Sequence, residues 1–522
     1  MGYMDSHVHG IEAYRKKTAA AIFLAALAVG SAGSAFAAPS YPKMPNCADL
    51  TDADFTVTTL VNHGGNGATT EPLKMAFDMD AAGNTDVYFV QRFGLLRKYS
   101  AAKKATVDLA KFTVPTGSSD GLIGIALDPA FKTNHWMYLY YSTNADWRVS
   151  RFTLNGETLD MASEKVVITI TESAGSQHTG GAMAFDWDGN LWITVGDNNH
   201  STTSANTMDL RGKIMRIHPT PDGKYTIPAG NLFPPGTDKT RPEIYVMGAR
   251  NPYSITLDAQ RKAVTWGDVG PDFGGISEEH DFTTKPGNFG WPYYAGDNIK
   301  LGGGGTAEAP INTDGGNTGI ANLPPAIPAM DSYKEACSVT GPVYYYNSIP
   351  NAPGKLPPHF DGKWFVSDFS RGVMVALTLD AAGTKVLARD TVFSKIKING
   401  PLDFQLGPDG NLYVVNYAGY RSTSNETGLL KISYTGQCSP VGISPLAGHG
   451  TRPLAEIRGA RIAIVAAGAH TLEVQDLAGR LITRYRGVGE AQYNLSGLRR
   501  GGVYLLSLVS DQGKWSGKLL AP

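Results

Sequence analysis

Cysteine, charge and long apolar runs are all scarce in this chain. Only 3 cysteines occur among 522 residues, and none falls in a Cys-X-X-Cys or Cys/His spacing, which excludes zinc-ribbon and iron–sulfur chemistry. Charged residues make up 18% and the formal net charge is -1, so no broad positive field exists for nucleic acid or anionic lipid. A neutral or weakly charged substrate suits such a surface, and no nucleic-acid partner is expected. Beyond the first 37 residues no stretch is apolar for long enough to span a bilayer as a helix. Glycine (61) and proline (31) are plentiful instead, alongside 42% hydrophobic residues, the composition of a turn-rich protein of many short strands.

Near the N-terminus, Arg15-Lys16-Lys17, the apolar run Ala19 to Val29 and the small-residue site Ala35-Phe36-Ala37 follow the order of a secretory signal peptide. The mature chain is expected to begin near Ala38, outside the membrane that bounds the cytoplasm. Asp5, His7 and His9 resemble hydrolase metal ligands but precede the cleavage point and are discarded with it. An oxidising compartment allows Cys47, Cys337 and Cys438 one disulfide and one thiol. The pairing stays open, although Cys47 with Cys438 would tie the two ends of a ring.

One pattern recurs: an apolar strand, a turn rich in Asp, Gly or Asn, then an apolar or aromatic strand. It occurs at Met75 to Phe89, Ile123 to Tyr141, Ala182 to Val195, Ser254 to Trp266 and Asp403 to Val415, and each copy predicts a β-hairpin. The spacing of the first three copies suits four-stranded blades, and Gly341 to Leu377 supplies another blade-like set. An all-β fold is expected, a six-bladed β-propeller over residues 38–438, because closed radial repetition also removes exposed strand edges. Gly302 to Pro328 lacks periodicity and predicts a long loop over one face. A Pro/Gly-rich linker at 439–456 then leads to a small β-sandwich at 457–522.

Three constellations lie on loops or at strand ends. Gln177-His178-Thr179-Gly180-Gly181 puts an imidazole beside paired glycines, where the backbone can approach a ligand and a base can take a proton near neutrality. A lone histidine is more often a structural hydrogen-bonder. Arg250-Asn251 within GARNP offers a guanidinium fork and an amide suited to the oxygens of a planar anionic cofactor; the bland alternative is a capped turn. Gly270 and Pro271, in GDVGPD ahead of Glu278-Glu279, offer carbonyls to a hard cation such as calcium, or else form a solvated acidic loop. Trp192, Trp266 and Trp291 could stack on sugar rings, yet aromatics on propeller strands usually pack between blades.

Taken in order, SDGLIGIALDPAF, QHTGGAMAFDWDGNLWITVGD, RGKIMRI, GARNPYSI, GDVGPD and PGNFGWP resemble the glucose/sorbosone dehydrogenase family, whose soluble members use pyrroloquinoline quinone (PQQ). The resemblance covers most of Thr56 to Tyr434. It implies a six-bladed propeller holding the quinone on its axis, with His178 as general base toward the C1 hydroxyl of a sugar and Gln177 beside the substrate. Arg250 and Asn251 would hold the quinone oxygens, and the carbonyls of Gly270 and Pro271 would bind calcium. An external electron acceptor is then required.

The chain also departs from that family. Ser370 stands where soluble glucose dehydrogenases carry a lysine, although Arg371 is adjacent, and an expected arginine pair is missing from Asn399 to Asp403. Such charge-assisted contacts are worth ~1.5 to 3 kcal/mol each. A non-catalytic propeller that binds glycans or a protein partner, having lost the quinone, is therefore the alternative. The strands LEVQDLAGRLI and GGVYLLSLVSDQGKWSGKLL resemble a type IX secretion sorting domain, which implies export machinery as a partner and a secreted or cell-surface place, or the periplasm, in a Gram-negative host. A carbohydrate-binding β-module is the other reading of those strands.

Overall fold

The computed structural model describes residues 50–436 and 455–520, apart from 66–68, 172–176, 272–276, 335–336, 459–460, 466–467, 477–479, 496, 500–501 and 512. The expected leader at 1–37, most of the linker, and Cys47 and Cys438 lie outside the described residues. No helix among the described residues is long and apolar enough to cross a membrane. The chain divides into two compact units, one within residues 48–437 and one within 438–522.

In the larger unit, short β-branched and aromatic runs alternate with tight turns, and the strands they form assemble into six sheets of at least four strands among the described residues. Blade I runs from Pro72–Met79 to Ala105–Lys111, blade II from Leu122–Leu127 to Thr158–Thr171 and blade III from Met183–Phe185 to Ile244–Met247. Blade IV runs from Pro252–Asp258 to Asp331–Lys334, and blade V from Ser338–Val343 to Val386–Val392. Blade VI holds Pro401–Leu406, Leu412–Asn416 and Gly428–Tyr434, and the start of the chain completes it. Phe55–Asn62 pairs antiparallel with the last of these strands, Phe55 opposite Tyr434 and Asn62 opposite Gly428. Each first strand packs beside the next, and that of blade VI returns to that of blade I, which closes the ring. The protein is a β-propeller, and the five hairpins read from the sequence are the first two strands of blades I, II, III, IV and VI.

Apolar side chains fill the seams between blades. Trp192 and Trp266 are buried with Ile214, Val246 and Phe289 between blades III and IV, so they form core and not sugar platforms. Val61, Met75, Phe89, Tyr413 and Val415 seal blades VI and I. The expected loop from Gly302 to Pro328 contains a hairpin, Gly304–Thr306 with Ala309–Ile311. A Cβ on Gly305, whose φ is +77°, would lie 2.0 Å from the Ala309 carbonyl oxygen, so this glycine run makes a tight turn as well as a loop.

The first strands share a device. Register shifts fall between Pro72 and Lys74, Leu122 and Gly124, Pro252 and Ser254, and Pro401 and Asp403. Leu73, Ile123, Tyr253 and Leu402 are thus bulged residues at equivalent places, and a bulge re-aims a side chain out of the pleat.

The smaller unit has two sheets. One comprises Ala455–Arg458, Arg461–Ile464 and Ala491–Asn494; the other comprises Leu481–Val488, Ala469–Asp476, Val503–Ser510 and Gly513–Leu520. Ile462 and Ile464 from the first pack with Leu472, Val474, Leu506 and Leu508 from the second in a separate core.

Candidate active site

The first two strands of a blade are antiparallel, so the loop entering the first and the loop leaving the second lie at one end of the ring. His178 precedes the first strand of blade III, Arg250 and Asn251 precede that of blade IV, and Gly270 and Pro271 follow the second strand of blade IV. All three expected constellations therefore share one mouth.

His178 adopts φ 53°, a left-handed conformation uncommon outside glycine. Its side chain is 14% exposed, and Nδ1 lies 2.7 Å from Oδ1 of Asp197, at the end of the second strand of blade III. Asp197 is buried and also accepts hydrogen bonds from Trp291 Nε1 at 2.9 Å and from the Asn199 N–H at 2.7 Å. Burial opposes ionisation of this carboxyl, but the hydrogen bonds from His178 and Trp291 and the charge of Arg250 outweigh it and hold it below the ordinary carboxylate range. An ionised Asp197 accepts the Nδ1 proton and leaves the Nε2 lone pair of His178 for a substrate. A Cβ on Gly196 would lie 1.9 Å from the His178 carbonyl oxygen, so the two loops meet only because that residue is glycine.

The backbone N–H groups of Arg250 and Asn251 donate to the two oxygens of buried Asp268, at 2.8 and 2.6 Å. The Arg250 guanidinium donates to the Val269 carbonyl at 2.7 Å and lies over the Trp291 ring, 5.7 Å from its centroid. Asn251 Oδ1 accepts from the Gly180 N–H at 3.2 Å, and the Asp197 N–H donates to the Arg250 carbonyl at 2.8 Å. These bonds lock the histidine loop to the Arg-Asn loop.

On the far side of that loop, Glu278 accepts from the N–H groups of Gly270 at 3.2 Å and Ser338 at 2.9 Å. Burial pushes the carboxyls of Asp268 and Glu278 up to about 7, against the hydrogen bonds they accept. Among the described residues no N–H donates to the carbonyls of Gly270 and Pro271, and no group of three His, Cys, Asp or Glu residues is placed to hold a metal. Those two carbonyls, beside dry carboxylates, are donors of the type a hard oxygen-seeking cation takes.

A planar group rich in oxygen also fits. The amide nitrogen of Asn251 and the guanidinium edge that Val269 leaves over remain as donors among the described residues for such oxygens, whereas Asn198 Oδ1, next to Asp197, is a buried acceptor without a partner and suits a donor or a cation instead. Gln177 is half-buried at the same lip. At the departures, Arg371 lies over the Tyr333 ring and donates to the Lys334 carbonyl at 3.0 Å, while the Asn399 amide donates to Glu426 at 2.9 Å.

Sequence reasoning missed Asp197 and Asp268. A signal was present: Gly-Asp follows directly on the second strand of blade III (Gly196-Asp197) and closes that of blade IV (Gly267-Asp268), and the second strand of blade V ends in Asp368. Trp291, expected to stack on sugar or fill core, is buried, and its indole N–H also donates to a carboxylate oxygen of Asp197.

A closed propeller whose mouth gathers an imidazole–carboxylate pair, a guanidinium and an amide has the form of a β-propeller enzyme. The Glucose / Sorbosone dehydrogenase family model matches residues 71–421, and the chain belongs to that family as a sugar dehydrogenase-like enzyme. It is 26% identical over 376 residues to the aldose sugar dehydrogenase YliI of Escherichia coli (strain K12), covering 69% of this chain and 90% of that one. It is 30% identical over 245 residues to the HIPL1 protein of Arabidopsis thaliana, over 42% of this chain, and spans about a third (32%) of that relative's length. The solved PQQ-bound form of aldose sugar dehydrogenase from Streptomyces coelicolor shares its fold, with a TM-score of 0.52, 19% identity, and 73% of this chain and 98% of that one covered.

Proposed function

We propose that this chain is an exported oxidoreductase that oxidises an aldose at C1 with PQQ and calcium. The observation that carries the reading is the His178–Asp197 pair at 2.7 Å, joined through Gly180 to Asn251. His178 Nε2 takes the proton of the C1 hydroxyl as the C1 hydride departs, and Asp197 holds the Nδ1 proton and stabilises the imidazolium so formed. Bound PQQ would supply the hydride acceptor, made more electrophilic by calcium. Arg250 and Asn251 would hold the cofactor's oxygens, the Gly270 and Pro271 carbonyls the calcium, and Gln177 borders the sugar. The sugar leaves as its lactone and the electrons pass to an external acceptor.

The purified protein, supplied with PQQ and calcium, should reduce a dye on addition of aldoses. His178→Gln should abolish turnover while quinone binding persists. No dye reduction with any sugar, together with no quinone-induced spectral change, would sink the reading. The second reading, a propeller that binds glycans or a protein without redox chemistry, draws on Ser370 and on the engagement of Asn399 with Glu426. Tight glycan binding unchanged by His178→Ala would favour it. The leader and the C-terminal unit support export to the cell surface or beyond, with that unit read by the export machinery; finding the full-length chain confined to the cytoplasm would overturn this.

A further inference from the structure

The cations that family resemblance leads one to expect, at Ser370 and between Asn399 and Asp403, are missing, yet the ring places another positive group at the level of its bulges. Lys74 adjoins the bulge in the first strand of blade I and is 3% exposed. Its Nζ donates to the carbonyl of Leu402, the bulged residue of blade VI, at 3.1 Å. The same Nζ lies 3.7 Å from the ring centroid of Tyr253, the bulged residue of blade IV. One ammonium thus joins the first strands of three blades. Tyr253 stands two residues beyond Asn251 and is half-buried. One N–H···O bond and one ring leave donor capacity on an ammonium with three N–H groups.

We propose that Lys74 supplies the cation on the propeller axis for a planar anionic cofactor, acting through Tyr253, whose ring it positions beside Asn251. This rests on the quinone reading above. A cation on an aromatic face orients the ring and, in a dry setting, lends positive potential to whatever lies against the ring's other side. The groups that face the ammonium set its response to pH. From blade VI comes buried Asp403, which also accepts from the Met75 N–H at 3.0 Å and from Gln405 at 2.9 Å. From blade IV comes Tyr253, and around that phenol stand Glu71 and Arg92, themselves paired, and Tyr417. Desolvation draws the Lys74 ammonium down to about 8, against the pull of Asp403, so its charge is lost just above neutrality in the free protein. An anion bound against Tyr253 favours the charged form, and linkage then makes its affinity fall as pH rises through that value.

The test is a titration of the full chain with PQQ, with calcium present, between pH 6.5 and 9.5, followed by calorimetry and by quenching of tryptophan fluorescence. Wild-type affinity should fall roughly tenfold across this range. Lys74→Met should bind roughly 10- to 100-fold more weakly at pH 6.5 and lose the pH dependence, while Lys74→Arg should stay tight at both ends. A wild-type affinity flat with pH, or Lys74→Met binding as wild type does, overturns the inference; the first needs no variant and so survives a folding failure. Absence of any wild-type binding overturns the quinone reading itself, and this inference with it.

Discussion

At the scale of single residues, what the imidazole at the mouth can do depends on the carboxylate behind it. Asp197 has three donors to satisfy, from His178, Trp291 and Asn199. Asp197→Asn supplies one acceptor oxygen and an N–H donor in place of two acceptors. Facing His178, the amide would press the proton onto Nε2, where a base needs a lone pair. A loss in kcat of about 10²- to 10⁴-fold with little change in KM is expected in reconstituted turnover assays. An equal rise in KM with kcat intact would mean that Asp197 holds only the fold. His178, Arg250, Asn251 and the two carbonyls could be read from short motifs because each sits where a turn signal meets a chemical group. Asp197 could not, since its role is a distance between two loops, and only the repeated Gly-Asp at strand ends hints at it.

Lys213 illustrates a buried charge of another kind. It is fully buried and donates to the carbonyls of Thr203, Ser204 and Arg211 at 2.8 to 3.0 Å, fixing the loop that follows Asp197. Desolvation pulls its ammonium from 10.5 down to about 7. Below pH 7 both folded and unfolded states hold the proton, and the full cost of burying the charge is present. Between about 7 and 10.5 the unfolded chain binds more protons than the folded one, so this group's contribution to stability rises with pH. Urea unfolding of wild type and Lys213→Met should show the difference between them moving in favour of wild type over that window. A difference constant with pH would show that the lysine stays charged.

At the scale of elements, the bulges that begin the first strands bring blades so close that glycine is required. A Cβ on Gly124 would lie 1.9 Å from the Gly181 carbonyl oxygen, a backbone atom of blade III that no rotamer change can move. Gly124→Ala should cost about 2 to 4 kcal/mol in chemical denaturation, and it displaces the loop that carries His178. Gly156→Ala serves as a control, because nothing lies within 4 Å of its Cβ and only its φ of +64° is strained. Equal losses in the two variants would remove the packing argument. The blade hairpins were legible because alternation and turn chemistry are local signals. The bulges were not, since a bulge is defined by the partner strand, and neither was the hairpin at Gly304–Thr306, hidden in a run that reads as pure loop.

At the scale of the whole molecule, the ring closes through the element that the sequence marks least. In Phe55–Asn62 only Phe55, Leu60 and Val61 are buried, so the strand lacks the alternation that would announce it. Its partner Gly428–Tyr434 lies more than 360 residues away, beyond the reach of any local pattern. Val61 is 1% exposed in the seam between blades VI and I, whereas Val57 on the same strand is 37% exposed. A carboxylate at Val61 would be buried without a counter-charge, at a cost of about 3 to 5 kcal/mol, and the cost falls on the seam that holds the ring shut. A propeller opened there also separates Lys74 on blade I from Leu402 on blade VI, so one variant links closure to the axis. Val61→Asp should lower the melting temperature and weaken PQQ binding together, while Val57→Asp leaves both near wild type. If Val61→Asp melts early yet binds the quinone at wild-type affinity below its transition, closure and cofactor binding are independent, and the axis is held by blades III and IV alone.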